Sequence, residues 1–148
     1  MIKVMFVCHG NICRSTMAEF VLKDLVKKRG CENFVIASAA TSYEEIGNDT
    51  HYGTKEVLRR HGVPFTRRAA ARLTKADCEN FDYIIGMDTA NIRNILNIGG
   101  AAAQGKTYML LEFAGLSRSI ADPWYTGDFD TTYNDVVMGC NAFLDSIL

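Results

Sequence analysis

Apolar positions along the chain follow two rhythms. The run I-K-V-M-F-V at residues 2–7 ends in a polar, glycine-containing stretch. After it, Met17, Ala18, Val21, Leu22, Leu25 and Val26 recur at spacings of three and four. This predicts a strand followed by a helix from about Ser15 to Arg29, with Glu19, Lys23, Asp24, Lys27 and Lys28 on the wet face. The basic end Lys27-Lys28-Arg29 suits the negative pole of that helix, and Gly30 can end it. A second strand is predicted over 34–39, then a polar loop to about Thr50. A helix over 54–61 follows, stopped by Gly62 ahead of Pro64. Residues 83–87 read as a third strand. Asp88 reads as the N-cap of a helix bearing Ile92, Ile95, Leu96 and Ile98 and ended by Gly99-Gly100. A fourth strand is predicted over 107–111. The longest stripe, Tyr133, Val136, Val137, Cys140, Phe143, Leu144 and Ile147, predicts a helix from Thr131 to the end of the chain.

Strands alternating with helices imply an α/β fold: a three-layer α/β/α sandwich around a four-stranded, parallel, doubly wound sheet. Ligands of such sheets bind beyond the carboxyl ends of the strands, near the point where the strand order reverses. Residues 112–130 resist this reading, with turn signals but no sustained period, and they hold the single tryptophan in A-D-P-W-Y. A connection of that length is either functional or a misread element.

With 148 residues, the chain is expected to form one domain over 1–148. A net charge of −1 offers no positive field for nucleic acid. No apolar run approaches the roughly 20 residues needed to span a bilayer, so no membrane insertion is expected, and the apolar start is too short for a signal peptide. The five cysteines, Cys8, Cys13, Cys31, Cys78 and Cys140, are an odd number in a chain large enough to fold without cross-links. Free thiols in a reducing, cytoplasmic setting are the expectation. His9, His51 and His61 are scattered and the cysteines lack zinc spacing, so neither metal nor cofactor is expected.

The stretch F-V-C-H-G-N-I-C-R-S, residues 6–15, lies between the first strand and the first helix. A loop there can wrap an anion against the helix N-terminus. Cys8 and Arg14 stand in a C-x5-R-S arrangement. A thiol ringed by backbone N–H groups, beside a helix N-terminus and a guanidinium, is held as a thiolate. The same donors, from His9, Gly10, Asn11, Ile12, Cys13, Arg14 and Ser15, suit a phosphate dianion, and the planar Arg14 fork can grip two of its oxygens. The Ser15 hydroxyl can donate to the sulfur when it departs. Gly10 and Asn11 are expected at positive φ, where a loop curls its amides inward. A buried cysteine closing a strand is the plainer alternative, but Gly, Asn, Arg and Ser concentrated between sulfur and helix favour the anion site.

Expelling an aryloxide from phosphorus calls for a proton donor. Asp122, whose backbone is held extended by Pro123, is the candidate, while Asp-Pro is equally an ordinary turn initiator. Asp128 and Asp130 read as loop solvation and a helix N-cap. Trp124 and Tyr125 either wall the entrance or pack the loop down.

The string V-C-H-G-N-I-C-R-S resembles the signature of the low-molecular-weight protein tyrosine phosphatases. The likeness continues in order through Ser38–Thr41, Glu45–Asn48, Phe81–Asp88 with Asn91, and Asp122-Pro123. It implies a metal-independent hydrolase of phosphotyrosine proteins and small aryl phosphates, acting through a cysteinyl-phosphate on Cys8, with Arg14 as phosphate clamp and Asp122 as acid and base. Phosphate and other oxyanions are implied as inhibitors. The resemblance also assigns Asn11 and Ser38 to supporting the loop, and Cys13 to a reversible disulfide with Cys8 that would shield it from further oxidation. Three positions depart from the family pattern. Thr16 replaces a proline, Arg67 stands for a loop-supporting histidine, and Glu44, beside Tyr43, stands where an aromatic wall of the cleft is usual. Arginine phosphatases of the family carry threonine at the position of Ile12, and isoleucine favours phosphotyrosine. Arsenate reductases sharing the loop need a further cysteine pair, and Cys78 has no close partner in sequence. A phosphate-binding module without turnover would need neither Cys8 nor Asp122, and both are present.

Overall fold

The computed structural model describes residues 1–148. Four strands, β1 (Ile2–Cys8), β2 (Phe34–Ala40), β3 (Tyr83–Gly86) and β4 (Thr107–Met109), form one parallel sheet in the order β2-β1-β3-β4. The helices are α1 (Arg14–Lys28), α2 (Tyr52–Arg60), α3 (Lys75–Asn80), α4 (Thr89–Gly99), α5 (Pro123–Thr126) and α6 (Phe129–Ile147). The architecture is the expected three-layer sandwich. After β1 the chain winds to β2 on one side, then crosses to β3 on the other. The strand order therefore reverses at the carboxyl end of β1, where Cys8 sits.

The pleat of β1 decides where the Cys8 side chain goes. Val4, Phe6 and Cys8 join the larger core, built with Met17, Leu22, Val136 and Phe143 of α1 and α6. Met5 and Val7 join the smaller core on the opposite face, with Leu73, Cys78, Ile84 and Ile95. The period of two thus aims the sulfur at the start of α1. No helix is long and apolar enough to cross a membrane.

Several elements differ from their predicted bounds. β4 ends at Met109, because Leu110–Ala114 turns into a 3₁₀ segment in which Glu112 Oε1 accepts from Met109 N at 3.1 Å. α3 was not predicted; its six residues are too few to show a period, and a Thr74/Asp77 capping box starts it. Residues 112–130 are not a structureless link, since they contain α5 and anchor through Ile120 N donating to Met87 O at 2.9 Å. Asp128, not Asp130, caps α6 by accepting from Thr131 N at 3.0 Å, so that helix begins at Phe129. Asp130 pairs with Arg60 at 2.8 Å. Thr16, in place of proline, donates to Ile12 O and Cys13 O at 3.3 and 3.2 Å, and α1 still starts at Arg14.

α6 lies close on the 3₁₀ segment: a Cβ added to Gly139 would sit 2.5 Å from Leu110 Cγ. Alanine gains about 1 kcal/mol in helix propensity, whereas overpacking a core costs about 1–3 kcal/mol. Gly139→Ala is expected to lower the midpoint of thermal unfolding, read by circular dichroism. An unchanged or higher midpoint would mean that Leu110 yields freely.

Candidate active site

Cys8 is buried at the end of β1, and its thiol donates to Ser15 Oγ in the first turn of α1 at 3.0 Å. That oxygen also accepts from Asn11 Nδ2 at 2.8 Å. The Ser15 hydrogen is therefore free to turn back to the sulfur once the thiol has lost its proton. Between strand and helix, the backbone N–H groups of His9, Gly10, Asn11, Ile12 and Cys13 donate to no protein acceptor. Five consecutive unpaired amides ahead of a helix N-terminus form a nest for an anion.

Asn11 is the one non-glycine residue at positive φ, 60°, and it is fully buried. Such a conformation costs of order 1–3 kcal/mol and persists only where its surroundings enforce it. They do so here through the side-chain amide. Nδ2 donates to Ser15 and, at 2.9 Å, to Ser38 Oγ, which passes its own hydrogen to Glu19 at 2.5 Å. Oδ1 accepts from Arg68 Nη2 and from Ala71 N at 3.3 Å. Two positions differ from expectation. Arg67 is exposed, and it is Arg68 that bonds the loop. Gly10 does not take positive φ, and a Cβ there would make only ordinary contact, 3.4 Å from Glu45 Cγ.

Arg14 is 2% exposed. Its Nη1 donates to Asp88 Oδ2 at 2.8 Å and to Ile120 O at 2.9 Å, and its Nη2 reaches Asp122 Oδ2 at 3.5 Å. Burial alone would lower the guanidinium, but the Cys8 sulfur, Asp88 and Asp122 together hold it above its ordinary pKa. Asp88, read from the sequence only as a helix cap, does both jobs. Oδ1 accepts from Asn91 N at 2.7 Å while Oδ2 takes Arg14. The hint was its place just beyond β3, at the ligand-binding edge of the sheet. Asp122 takes the turn-initiating role, starting α5 by accepting from Trp124 N at 3.1 Å, and the same carboxylate faces Arg14.

Of these groups, Cys8 and Asp122 line an open cleft of ≈ 480 Å³, solvent at its mouth included. Its floor is Cys8, Gly10, Ile12 and Cys13; one wall is His9, Glu44 and Glu45, the other Asp122, Trp124 and Tyr125. Tyr125 is 81% exposed, so it does not pack the loop down, whereas Trp124 meets the edge of the His51 ring at 5.6 Å. Tyr43 is not a wall residue: its ring lies beneath the Arg72 guanidinium at 4.3 Å. Burial, with the negative charge of Asp122 and Cys8, pushes the Cys13 thiol up to about 12. Cys78 is buried in the smaller core beside Ala103 and Cys140 in the larger one, where burial pushes its thiol up; Cys31 is half-buried. No three His, Cys, Asp or Glu side chains gather where they could hold a metal ion.

The comparisons with known proteins agree with this geometry. The family model for low molecular weight phosphotyrosine protein phosphatase matches residues 3–148, and the chain belongs to that family. It is 41% identical over 150 residues to the low molecular weight protein-tyrosine-phosphatase YfkJ of Bacillus subtilis, covering 99% of this chain and 96% of the relative. To PtpA of Staphylococcus aureus it is 36% identical, over 100% and 95%. The crystal structure of YfkJ superposes with a TM-score of 0.94 at 41% identity, covering 99% of this chain and 94% of that one. The phosphatase SP-PTP of Streptococcus pyogenes gives 0.90 at 40%, covering 100% and 94%.

His51 escaped the sequence reading. It caps α2 by accepting from Gly53 N on Nδ1 at 3.0 Å, and its ring stacks on Phe129 and Tyr52 beside Trp124. Burial lowers its pKa below the ordinary 6.5. A histidine depressed in the folded state stabilises the fold above its unfolded pKa and loses that contribution as pH falls below it. Urea midpoints are expected to drop between pH 7.5 and pH 5.5, and to drop less in His51→Asn, which keeps a capping acceptor but does not titrate. Equal drops in both proteins would remove His51 from the account.

Proposed function

We propose that the cleft hydrolyses phosphotyrosine in proteins, and small aryl phosphates, through a cysteinyl-phosphate. The observation that carries this reading is the run of five unpaired amides closed by a buried arginine around the Cys8 sulfur. Vacant donors of this kind suit the equatorial oxygens of a phosphoryl group, and Cys8 lines the same cleft as most of the residues that carry them. Nη1 of Arg14 is committed to Asp88 and Ile120. Nε and Nη2 remain as a fork for two phosphate oxygens, with the 3.5 Å contact to Asp122 loose enough to give way.

In the first step the ionised Cys8 sulfur attacks phosphorus, and the phosphorus–phenolic oxygen bond breaks. Asp122 gives its proton to the leaving phenolate. In the second step, Asp122 as carboxylate takes a proton from water. The water oxygen then attacks phosphorus, and the sulfur leaves as a thiolate supported by the Ser15 hydroxyl. Asn11, Ser38 and Arg68 keep the loop curled for both steps. The protein positions groups and supplies positive field, which is most of what phosphoryl transfer asks. Isoleucine at residue 12, on the cleft floor, favours tyrosine over arginine as the phosphorylated residue.

Hydrolysis of an aryl phosphate in the presence of a chelator tests the reading. Cys8→Ser is expected to abolish turnover and to keep phosphate binding, read by calorimetry. Asp122→Asn should slow turnover by about 10²–10⁴-fold. Wild-type turnover by the Cys8→Ser protein would overturn the nucleophile assignment.

A further inference from the structure

Charge is distributed unevenly around the cleft. Its lining carries three carboxylates, Glu44, Glu45 and Asp122, and a single group able to become a cation, His9. Arg14 is buried and turned onto Asp88 and Asp122, so its charge does not reach the rim. Arg72 is engaged elsewhere, donating to Thr41 O at 3.2 Å and covering Tyr43. A doubly negative phosphate therefore enters past an acidic wall that repels it unless the substrate brings a compensating cation.

His9 ties this wall to the phosphate-binding loop. Thr41 N donates to Cys8 O at 3.0 Å, and Ser42 donates to His9 O through both its backbone N–H and its hydroxyl, at 3.1 and 2.9 Å. Those bonds fix the backbone. The remaining tie, between His9 Nε2 and a Glu44 carboxylate oxygen at 3.0 Å, joins two side chains that are 48% and 70% exposed. An exposed pair of this kind is weak and exchangeable, so a cation from outside can take the place of the imidazole.

Resting on the phosphotyrosine reading, we propose that Glu44 and Glu45 select segments carrying a lysine or arginine beside the phosphotyrosine, with His9 as the internal competitor for Glu44. A substrate ammonium or guanidinium displaces the imidazole from Glu44 and is shared with Glu45. An acidic neighbour meets two carboxylates instead and is disfavoured. The two sides of the pair then act with opposite sign. Removing the glutamates erases the preference, whereas removing His9 frees Glu44 and strengthens it. A purely structural role would move both in one direction.

The test is kcat/KM on three phosphotyrosine peptides identical except for Lys, Ala or Glu flanks, alongside an aryl phosphate. The ratio between Lys and Glu peptides is internal to each protein, so a variant of reduced overall activity remains informative. Wild type is expected to favour Lys over Glu by roughly two- to thirtyfold, the range for two exposed charge pairs, and less at high salt. Glu44→Gln combined with Glu45→Gln brings the ratio near one, while His9→Leu and His9→Gln raise it. A wild-type ratio at or below one, or a shift in the same direction for both sets of variants, overturns the proposal. Hydrolysis of the aryl phosphate with a flat peptide profile overturns this specificity alone. Failure to hydrolyse any of the substrates overturns the phosphatase reading beneath it.

Discussion

A guanidinium taken out of water has to be paired, and in this protein that requirement draws the active end of the sheet together. Arg14 sits 2% exposed in the first turn of α1. Its partners come from the segments following the other central strand and β4: Asp88 beyond β3, then Ile120 and Asp122 on the stretch leading into α5. An unpaired charge at that depth would cost several kcal/mol. The same bonds that relieve it set the spacing between the candidate phosphate-binding loop and the segment carrying the candidate acid. Stability and positioning have a common origin here.

The loop itself is held by a second balance. Asn11 occupies a left-handed conformation because its amide is polarised from both ends, by Arg68 on its oxygen and by the Ser38–Glu19 chain on its N–H. The amide then hands a hydrogen bond to Ser15, which reaches Cys8. A chain of hydrogen bonds thus links Arg68 and Glu19, through Asn11 and Ser15, to the Cys8 thiol.

Much of this was legible in the residues. The apolar run at residues 2–7 predicted the strand, while the face on which Cys8 emerges shows only in the packing, with Val4, Phe6 and Cys8 in one core and Met5 and Val7 in the other. The concentration of Gly, Asn, Arg and Ser before α1 pointed to the loop whose amides are left without protein acceptors, and the family likeness pointed to Asp122 as the candidate acid. What stayed hidden has physical reasons. α3 and α5, of six and four residues, are shorter than two helical turns and cannot display a period. Asp88 announced its capping role, which is local, but not its pairing with Arg14, a contact spanning 74 residues. Residues 63–72 form no helix or strand, so nothing in the pattern said whether Arg67 or Arg68 would point inward. Tyr43 stays out of the cleft while Glu45 lines it, because the turn at 42–47 follows its own hydrogen bonds, which no alternation reports.

Everything proposed for the cleft requires that phosphorus bond to the Cys8 sulfur. Acid-quenching the Asp122→Ala protein during turnover of a ³²P-labelled phosphotyrosine peptide, then digesting it and mapping the label, measures this directly. The predicted result is acid-stable label on the peptide containing Cys8 and none when Cys8 is also serine. Label on a histidine or an aspartate, or turnover with no labelled protein at all, would contradict it.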